Sequence, residues 1–544
     1  MIESTQTVQQ GGAVSSGRVQ SMPSVCVVAV VVTWNRRADV ERVLRRLSGM
    51  QIDRGSIHAI VVDNASDDET SDALQAAFKP ERIAANDSVV GSRPSFTVEE
   101  SPAPNALGLG SLTLVRNTVN LGGCGGFNTG FAAVSEFFGA SGTEEGPDFV
   151  WLLDDDIDLP TDSLQRLVRA AAVDPTIALV GSRTVDLHDR KTTIESTIYY
   201  DRTTGMMGPR REGHIETLEE AVEGIRDVDI VSACSMLVRW AAIEGVGPWD
   251  DRFFIYCDDA DWCLRIKQAG WRVVCALDAV VFHTPWTQKL TPVRGYYLHR
   301  NLLLMNSKHL EGSELRRVWL RWSWRLLRDA KSAALNRAMT QAILTLRAID
   351  DAVRGDGGKL AFEPDACALQ DVFTGERARF RDVMVVAPSR DGFEAAETIR
   401  AAVSNALIAA GHSGMIPRWR VILRQGDATP SHGAQPPSEG HGRVPIVEFV
   451  PTRTGKLRAL ASLLKRRPDA VIVINHECEF PMLFGGCTLH VNTAEPLRVI
   501  IEPGGLRAVL RFAPAWVCTC IRTALFAVKI RRDTRSDPTP PSDG

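Results

Sequence analysis

Continuous apolar runs alternate with segments of helical spacing along most of the chain. Residues 25–33 (VCVVAVVVT) are apolar and rich in β-branched side chains, the pattern of a strand buried on both faces of a parallel sheet. Asp39 to Leu47 follow with helical spacing. His58–Val62 is a second strand that ends in Asp63-Asn64-Ala65-Ser66. Asp67-Asp68-Glu69 then opens a helix, at the end where its dipole favours acids. Strand, helix, strand in this order predicts an α/β unit with a parallel sheet. Residues 84–111 are rich in Ser, Pro, Gly and Asn and read as a loop insertion. Further strands are expected at Leu112–Val115, Phe149–Leu153, Ile177–Val180 and Ile230–Val238, with a helix over Phe127–Phe138. Helical spacing dominates from Gly295 to Val353, with Trp319, Trp322 and Trp324 among basic residues.

The stretch Gly355–Pro364 reads as a boundary. Beyond it, apolar runs at 383–388, 418–423, 444–450, 470–475 and 497–501 alternate with helical patterns at 394–410 and 456–467. That is a second α/β unit with a Pro/Gly/Ser/His-rich loop at 426–443. Leu506–Ile530 is mostly apolar but contains Arg507, Arg511, Arg522 and Lys529, and Arg531 and Arg532 end it. Those charges argue against a bilayer span. Two readings stay open: a basic amphipathic helix on a membrane surface, or a core helix of the last domain. The expected organisation is a flexible start at 1–24 without a cleavage-site pattern, a first domain at 25–310, and a helical segment and linker at 311–364. A second α/β domain at 365–505, a basic amphipathic helix at 506–532 and a flexible tail at 533–544 complete it.

Composition narrows the function classes. Of 544 residues, 44% are hydrophobic and 24% charged, ordinary proportions for a folded chain. The net charge of −4 argues against a dedicated nucleic-acid binder, which would carry a basic excess. The 11 cysteines include no CxxC pair, and Cys26, Cys234 and Cys275 sit in apolar runs, which favours a reducing, cytoplasmic setting.

The candidate chemistry lies at strand ends, where open α/β sheets bind ligands. Asp154-Asp155-Asp156 emerges directly from the apolar FVWLL. Two carboxylates there can hold a hard divalent cation, which also neutralises phosphate oxygens. His283, ending the strand VVFH, can complete such a shell. Asn120-Leu121-Gly122-Gly123-Cys124-Gly125-Gly126 places four glycines in five positions, which lets backbone approach a ligand or simply turn before a helix. It is not a dinucleotide fingerprint. In the segment Cys257-Asp258-Asp259-Ala260-Asp261, helical spacing starts near Ala260. An ionised carboxylate there can act as general base, while a neighbour caps the helix. In the second unit, His476, Glu477 and Glu479 at a strand end are a weaker candidate site.

Taken together, these motifs resemble the inverting glycosyltransferases of family 2 with a GT-A fold, and most of all the galactofuranosyltransferase and rhamnosyltransferase branch. The resemblance rests on Thr33-Trp34-Asn35-Arg36, Val62-Asp63-Asn64-Ala65-Ser66, Asn120-Leu121-Gly122-Gly123, Asp154-Asp155-Asp156, Asp258-Asp259-Ala260-Asp261, and His283 with Trp286, in that order over about residues 25–310. It implies an α/β GT-A sheet that binds a nucleotide sugar. It implies Thr33, Asn35, Arg36, Asp63, Asn120, Gly122, Gly123 and Asp155 around the donor, and Arg300 in a segment closing over donor and acceptor. Asp154, Asp156 and His283 would hold Mn²⁺ or Mg²⁺. Asp259, or Asp258 beside it, would be the catalytic base. The implied partners are a nucleotide-sugar donor, UDP-galactofuranose first and dTDP-rhamnose second, and a glycan or lipid-linked glycan acceptor. A cytoplasmic enzyme peripheral to the inner membrane face follows, without nucleic acid. Two rivals stand against this reading, with a dehydrogenase behind them for lack of the dinucleotide fingerprint. A nucleotidyltransferase would carry a basic Gly-rich loop after the first strand, where Thr33-Trp34-Asn35-Arg36 stands. A non-catalytic glycan-binding scaffold would lack the base or the metal acids, and this sequence has both.

Overall fold

The computed structural model describes residues 24–88, 93–139, 146–209, 224–335, 338–361, 367–375, 380–387, 390–424, 446–449, 468–474, 487–492, 498–503 and 506–533. The expected loop 426–443, the helix 456–467 and the residues His476, Glu477 and Glu479 lie outside them.

The chain opens with β1 (Val25–Thr33), α1 (Arg37–Leu47), β2 (Gly55–Asp63), α2 (Thr70–Phe78), β3 (Arg82–Asn86), β4 (Phe96–Glu100), β5 (Leu112–Asn117), α3 (Gly122–Phe138) and β6 (Phe149–Asp154). It continues through α4 (Ser163–Ala172), β7 (Ile177–Asp186), β8 (Thr193–Glu195), β9 (Tyr199–Asp201), β10 (Met206–Gly208), β11 (Ile225–Asp227), β12 (Ser235–Arg239), α5 (Trp240–Val246), α6 (Asp258–Gln268) and β13 (Arg272–His283). One sheet takes the order β11-β13-β7-β12-β6-β1-β2-β5-β3-β4, with β8 beside β7. Its centre, β6-β1-β2-β5-β3, is parallel. In β1, Val28 and Val30 face α3, while Val27, Ala29 and Val31 face α1 and α4. Burial on both faces is why this strand reads as one unbroken apolar run.

The structure corrects three expectations. Residues 84–111 are more than a loop: β3 and β4 extend the sheet, and the exposed edge strand β4 (FTVEE) is too polar to read as one. The strand expected at Ile230–Val238 is only β12, since Ile230 makes an isolated bridge to Ile198. The four glycines belong to the first turns of α3, so the helix begins at Gly122 and not Phe127. A Cβ on Gly126 would lie 2.5 Å from Val32 Cγ1, and one on Gly130 2.3 Å from Val30 Cγ1. These glycines bring α3 close against β1.

Strand register aligns the carboxyl ends. Thr33 pairs with Asp63, and Val32 with Asp154. Three adjacent parallel strands therefore deliver Thr33, Asp63 and Asp154 to one edge.

Helices α7 (Pro292–His309), α8 (Gly312–Leu335) and α9 (Met339–Arg354) follow. A second, seven-stranded sheet takes the order Cys367–Ala368, Arg498–Pro503, Cys487–Asn492, Ala470–Ile474, Asp382–Ala387, Arg418–Arg424, Ile446–Phe449. Its strand Cys487–Asn492 was not foreseen, because Thr488, His490 and Asn492 break the apolar run. The last helix, Leu506–Asp533, packs on α8 and α9: Phe512, Ala527 and Ile530 join their core, and the Phe526 ring lies 4.3 Å from that of Trp319.

Candidate active site

The aligned strand ends open into a cavity of about 510 Å³. Arg36, Gly123, Asp154, Asp155, Asp156, Asp258, Asp259 and His283 line it, so the structure brings most of the expected site residues together. Thr33 Oγ1 donates to Asp155 Oδ2 at 2.7 Å. Burial, then the adjacent Asp156, pushes Asp155 up to about 8. Burial alone would also raise Asp156. His283, Lys289 and Arg36 outweigh it and hold Asp156 well below the usual carboxylate range.

Asp154, Asp156 and His283 bring their ligand atoms within 4.8 Å of one another. Two carboxylates and an imidazole form a donor set that fits Mn²⁺ or Mg²⁺. Lys289 Nζ stands among these atoms, 2.7 Å from Asp156 Oδ2 and 2.9 Å from His283 Nε2. Arg36 Nη1 donates to the same Asp156 oxygen at 2.7 Å. A divalent cation on this set has to displace the ammonium.

In the same cavity, Asp258 and Asp259 begin α6 after an unusual turn. Phe254, Tyr256 and Cys257 all adopt positive φ, at 64°, 69° and 61°. For non-glycine residues each such position costs on the order of 1 kcal/mol, so surrounding contacts must hold the turn. Asn301 Nδ2 donates to the carbonyls of Phe253, Ile255 and Tyr256 at 2.7–2.9 Å. Arg300 Nη2 donates to Arg252 and Phe253 carbonyls at 2.9 and 3.0 Å. This corrects the placement of Arg300. It is 1% exposed, does not line the cavity, and holds the turn that presents the acids.

Burial, then repulsion from Asp259, pushes Asp258 up to about 8. Burial, then repulsion from Glu195, pushes Asp259 up to about 7. Asp259 is the less buried of the two; its oxygens accept from the N–H groups of Ala260 at 2.7 Å and Ala233 at 3.4 Å. A carboxyl that titrates near neutrality suits a general base. Asp261 is different: it is fully buried and pairs with Arg265, Lys308 and His309, so it anchors α6 to α7.

The remaining expected donor residues shape the rim. Asn35 Oδ1 accepts from Asp67 N–H at 2.8 Å, tying the loops after β1 and β2 together, and Asp63 Oδ1 accepts from Ser66 N–H at 3.1 Å within the second loop. Asn120 Oδ1 accepts from Gly122 N–H at 2.8 Å. A Cβ on Gly122 would meet Phe254 O at 2.2 Å, while Gly123 has open space above it. Of this pair, only Gly123 faces the cavity.

Sequence reasoning missed Glu195 and Lys289, both in the cavity wall. Glu195 ends the three-residue strand β8, too short to show a period. Trp286 also lines the cavity, its ring 6.3 Å from that of Tyr256.

Comparisons with known proteins give the family. The family model described as "Glycosyltransferase like family 2" matches residues 23–294, half of the chain. An N-acetylglucosaminyl-diphospho-decaprenol L-rhamnosyltransferase of Mycobacterium tuberculosis is 27% identical over 263 residues, covering 47% of this chain and 74% of that protein. Galactofuranosyltransferase GlfT2 of the same species is 25% identical over 352 residues, 61% of this chain and 49% of that protein. Among solved structures, a mannosyltransferase of Pyrobaculum calidifontis in complex with GDP-Man and Mn²⁺ aligns with a TM-score of 0.35 and 14% identity, over 72% of this chain and 85% of that one. The α/β sheet with its acid-lined carboxyl edge is the expected GT-A sheet, and the chain belongs to the family 2 glycosyltransferases.

Proposed function

We propose that this glycosyltransferase moves a sugar, with inversion, from a nucleotide-sugar donor to a glycan or lipid-linked glycan in cell-surface polysaccharide synthesis. The observation that carries the reading is the meeting, in one cavity, of Asp259 and the set Asp154, Asp156 and His283. An acceptor hydroxyl is a weak nucleophile until a base takes its proton. Asp259 accepts that proton while the oxygen attacks the anomeric carbon from the face opposite the diphosphate. A cation on Asp154, Asp156 and His283, when bound, stabilises the departing diphosphate. Arg36 and Lys289 bring positive charge to the same place. Thr33, Asn35, Asp63, Asn120, Gly122, Gly123 and Asp155 form or shape the donor side. UDP-galactofuranose is the first donor proposed and dTDP-rhamnose the second, supported by the two relatives. The enzyme works in the cytoplasm, peripheral to the inner face of the cell membrane.

The test is release of nucleoside diphosphate from a panel of UDP-, dTDP- and GDP-sugars with Mn²⁺ or Mg²⁺, for wild type and Asp259→Asn. The expected result is turnover with one donor class, dependent on the cation and reduced on the order of 10²–10⁴-fold by the substitution. The base must be ionised, so the rate should rise with pH through about 7, where burial and Glu195 hold Asp259. Full activity in Asp259→Asn assigns the base elsewhere. Nucleotide binding without turnover in any mixture, acceptors included, favours the scaffold reading.

A further inference from the structure

The last helix packs on α8 antiparallel. Trp516 Nε1 donates to the Leu327 carbonyl at 2.8 Å, and the Phe526 ring packs tilted against that of Trp319. Thr519 and Arg522 reach Asp350 of α9 at 3.2 and 2.5 Å. One face of the helix is thus a core face. The opposite face is apolar as well. Val517, Ile521, Leu525 and Val528 recur at spacings of four, four and three and are 47–64% exposed. Burial of one face is what an ordinary core helix needs; a second apolar face left in water marks an interaction surface.

The neighbouring face of α8 indicates the occupant. Arg316, Arg317, Arg321, Arg325, Arg328 and Lys331 are all exposed, against Asp329 as the exposed acid within that span. A chain with net charge −4 therefore concentrates six cations on one helix. Among them stand Trp324, 66% exposed, and Leu320, 39% exposed. At about 100° per residue, Leu320 lies one step round from the Trp319–Phe526 seam. The surface is an apolar ridge bordered by an exposed tryptophan and arginines. Bilayer-interface elements combine an apolar face, an interfacial aromatic and cations that meet anionic headgroups. A second copy fits poorly, because a two-fold contact would set the α8 cations against their own copies.

We propose that the outer face of α8 and the last helix docks the enzyme on an anionic lipid bilayer. The position of this face gives docking a consequence. Trp322 Nε1 donates to the Thr204 carbonyl at 2.9 Å, and a Cβ on Gly205 would touch Val318 at 2.3 Å. The other side of the β9–β10 hairpin supplies Met207 and Gly208 to the catalytic cavity. Helix α8 and this hairpin thus lie between the docking face and the cavity, so docking fixes how the cavity is oriented to the bilayer that holds a lipid-linked acceptor. The inference deepens the peripheral placement proposed above and rests on it for which membrane is met.

The test is flotation of the full chain with vesicles of phosphatidylglycerol and phosphatidylcholine against phosphatidylcholine alone, at low and high salt. The variants are Ile521→Glu/Leu525→Glu and Arg321→Glu/Arg328→Glu. Wild type should float with the anionic vesicles, less at high salt, and each variant should lose on the order of tenfold in partition. Circular dichroism and Mn²⁺ binding, which neither pair of positions touches, verify folding. Sugar transfer is measured separately, so a failed donor assay leaves the vesicle result intact. No flotation of wild type overturns the proposal, as does flotation unchanged in both variants. A wild-type dimer in light scattering that Ile521→Glu/Leu525→Glu dissociates, without vesicle binding, overturns it in favour of self-association.

Discussion

Lys289 shows how much one side chain can alter a site whose ligands are already in place. Its ammonium lies 2.7 Å from Asp156 Oδ2 and 2.9 Å from His283 Nε2, so it occupies part of the space a divalent cation needs. Replacement by Met removes that charge and keeps much of the bulk. Mn²⁺ affinity of Lys289→Met, by titration calorimetry without donor, should rise by about tenfold, equivalent to ~1.4 kcal/mol. Unchanged affinity would mean that the ammonium leaves the site at no cost. Nothing in Trp286-Thr287-Gln288-Lys289 signals this in sequence, because the contact is made by a short turn folding back over the strand end. Asp154, Asp156 and His283 were legible for the opposite reason. Each ends or directly follows a buried apolar strand, and strand direction alone sends it to the ligand edge. Arg300 misled because an arginine in a family-like segment reads as a ligand group, while its real partners are carbonyls 47 and 48 residues away in sequence.

Among the elements, the turn before α6 carries the strain of the site. Three positive-φ residues in four are held by Asn301, which donates to the carbonyls of Phe253, Ile255 and Tyr256, together with Arg300. Asn301→Ala would leave buried acceptors unsatisfied, a loss of roughly 2–4 kcal/mol. Urea unfolding should report that loss, and turnover should fall as well because Asp258 and Asp259 ride on the turn. A variant as stable as wild type would show that the turn holds without its amide. No local pattern betrays this conformation, since Phe, Tyr and Cys are poor candidates for left-handed backbone. The central strands were legible because burial on both faces leaves no polar position in them. The edge strand β4 and the short strands β8 to β11 were not, since solvent on one side or brevity removes any period.

For the whole molecule, the last helix is where two roles of apolar surface meet, and they can be separated. Its inner face closes the core of α8 and α9 through Phe512, Ala527 and Ile530, and its outer face is exposed. Sequence left a core helix and a membrane-surface helix as alternatives, because periodicity does not distinguish which apolar face meets protein. The structure has a partner for one face and solvent on the other. By length and composition alone Phe512–Ile530 would also suffice to cross a bilayer, so its charges do not by themselves exclude a span. The hydrogen bonds of Trp516, Thr519 and Arg522 to α8 and α9 hold it along those helices. Deleting residues 506–544 would expose the Trp319 side of α8 to water. Burying one such aromatic side chain is worth about 1.5–3 kcal/mol, and several neighbours are uncovered with it. The truncated chain should melt several degrees lower and aggregate on heating. Ile521→Glu/Leu525→Glu, on the outer face of the same helix, should leave the melting temperature nearly unchanged and raise solubility. Equal destabilisation by both changes would show that the outer face, too, is packed inside the protein.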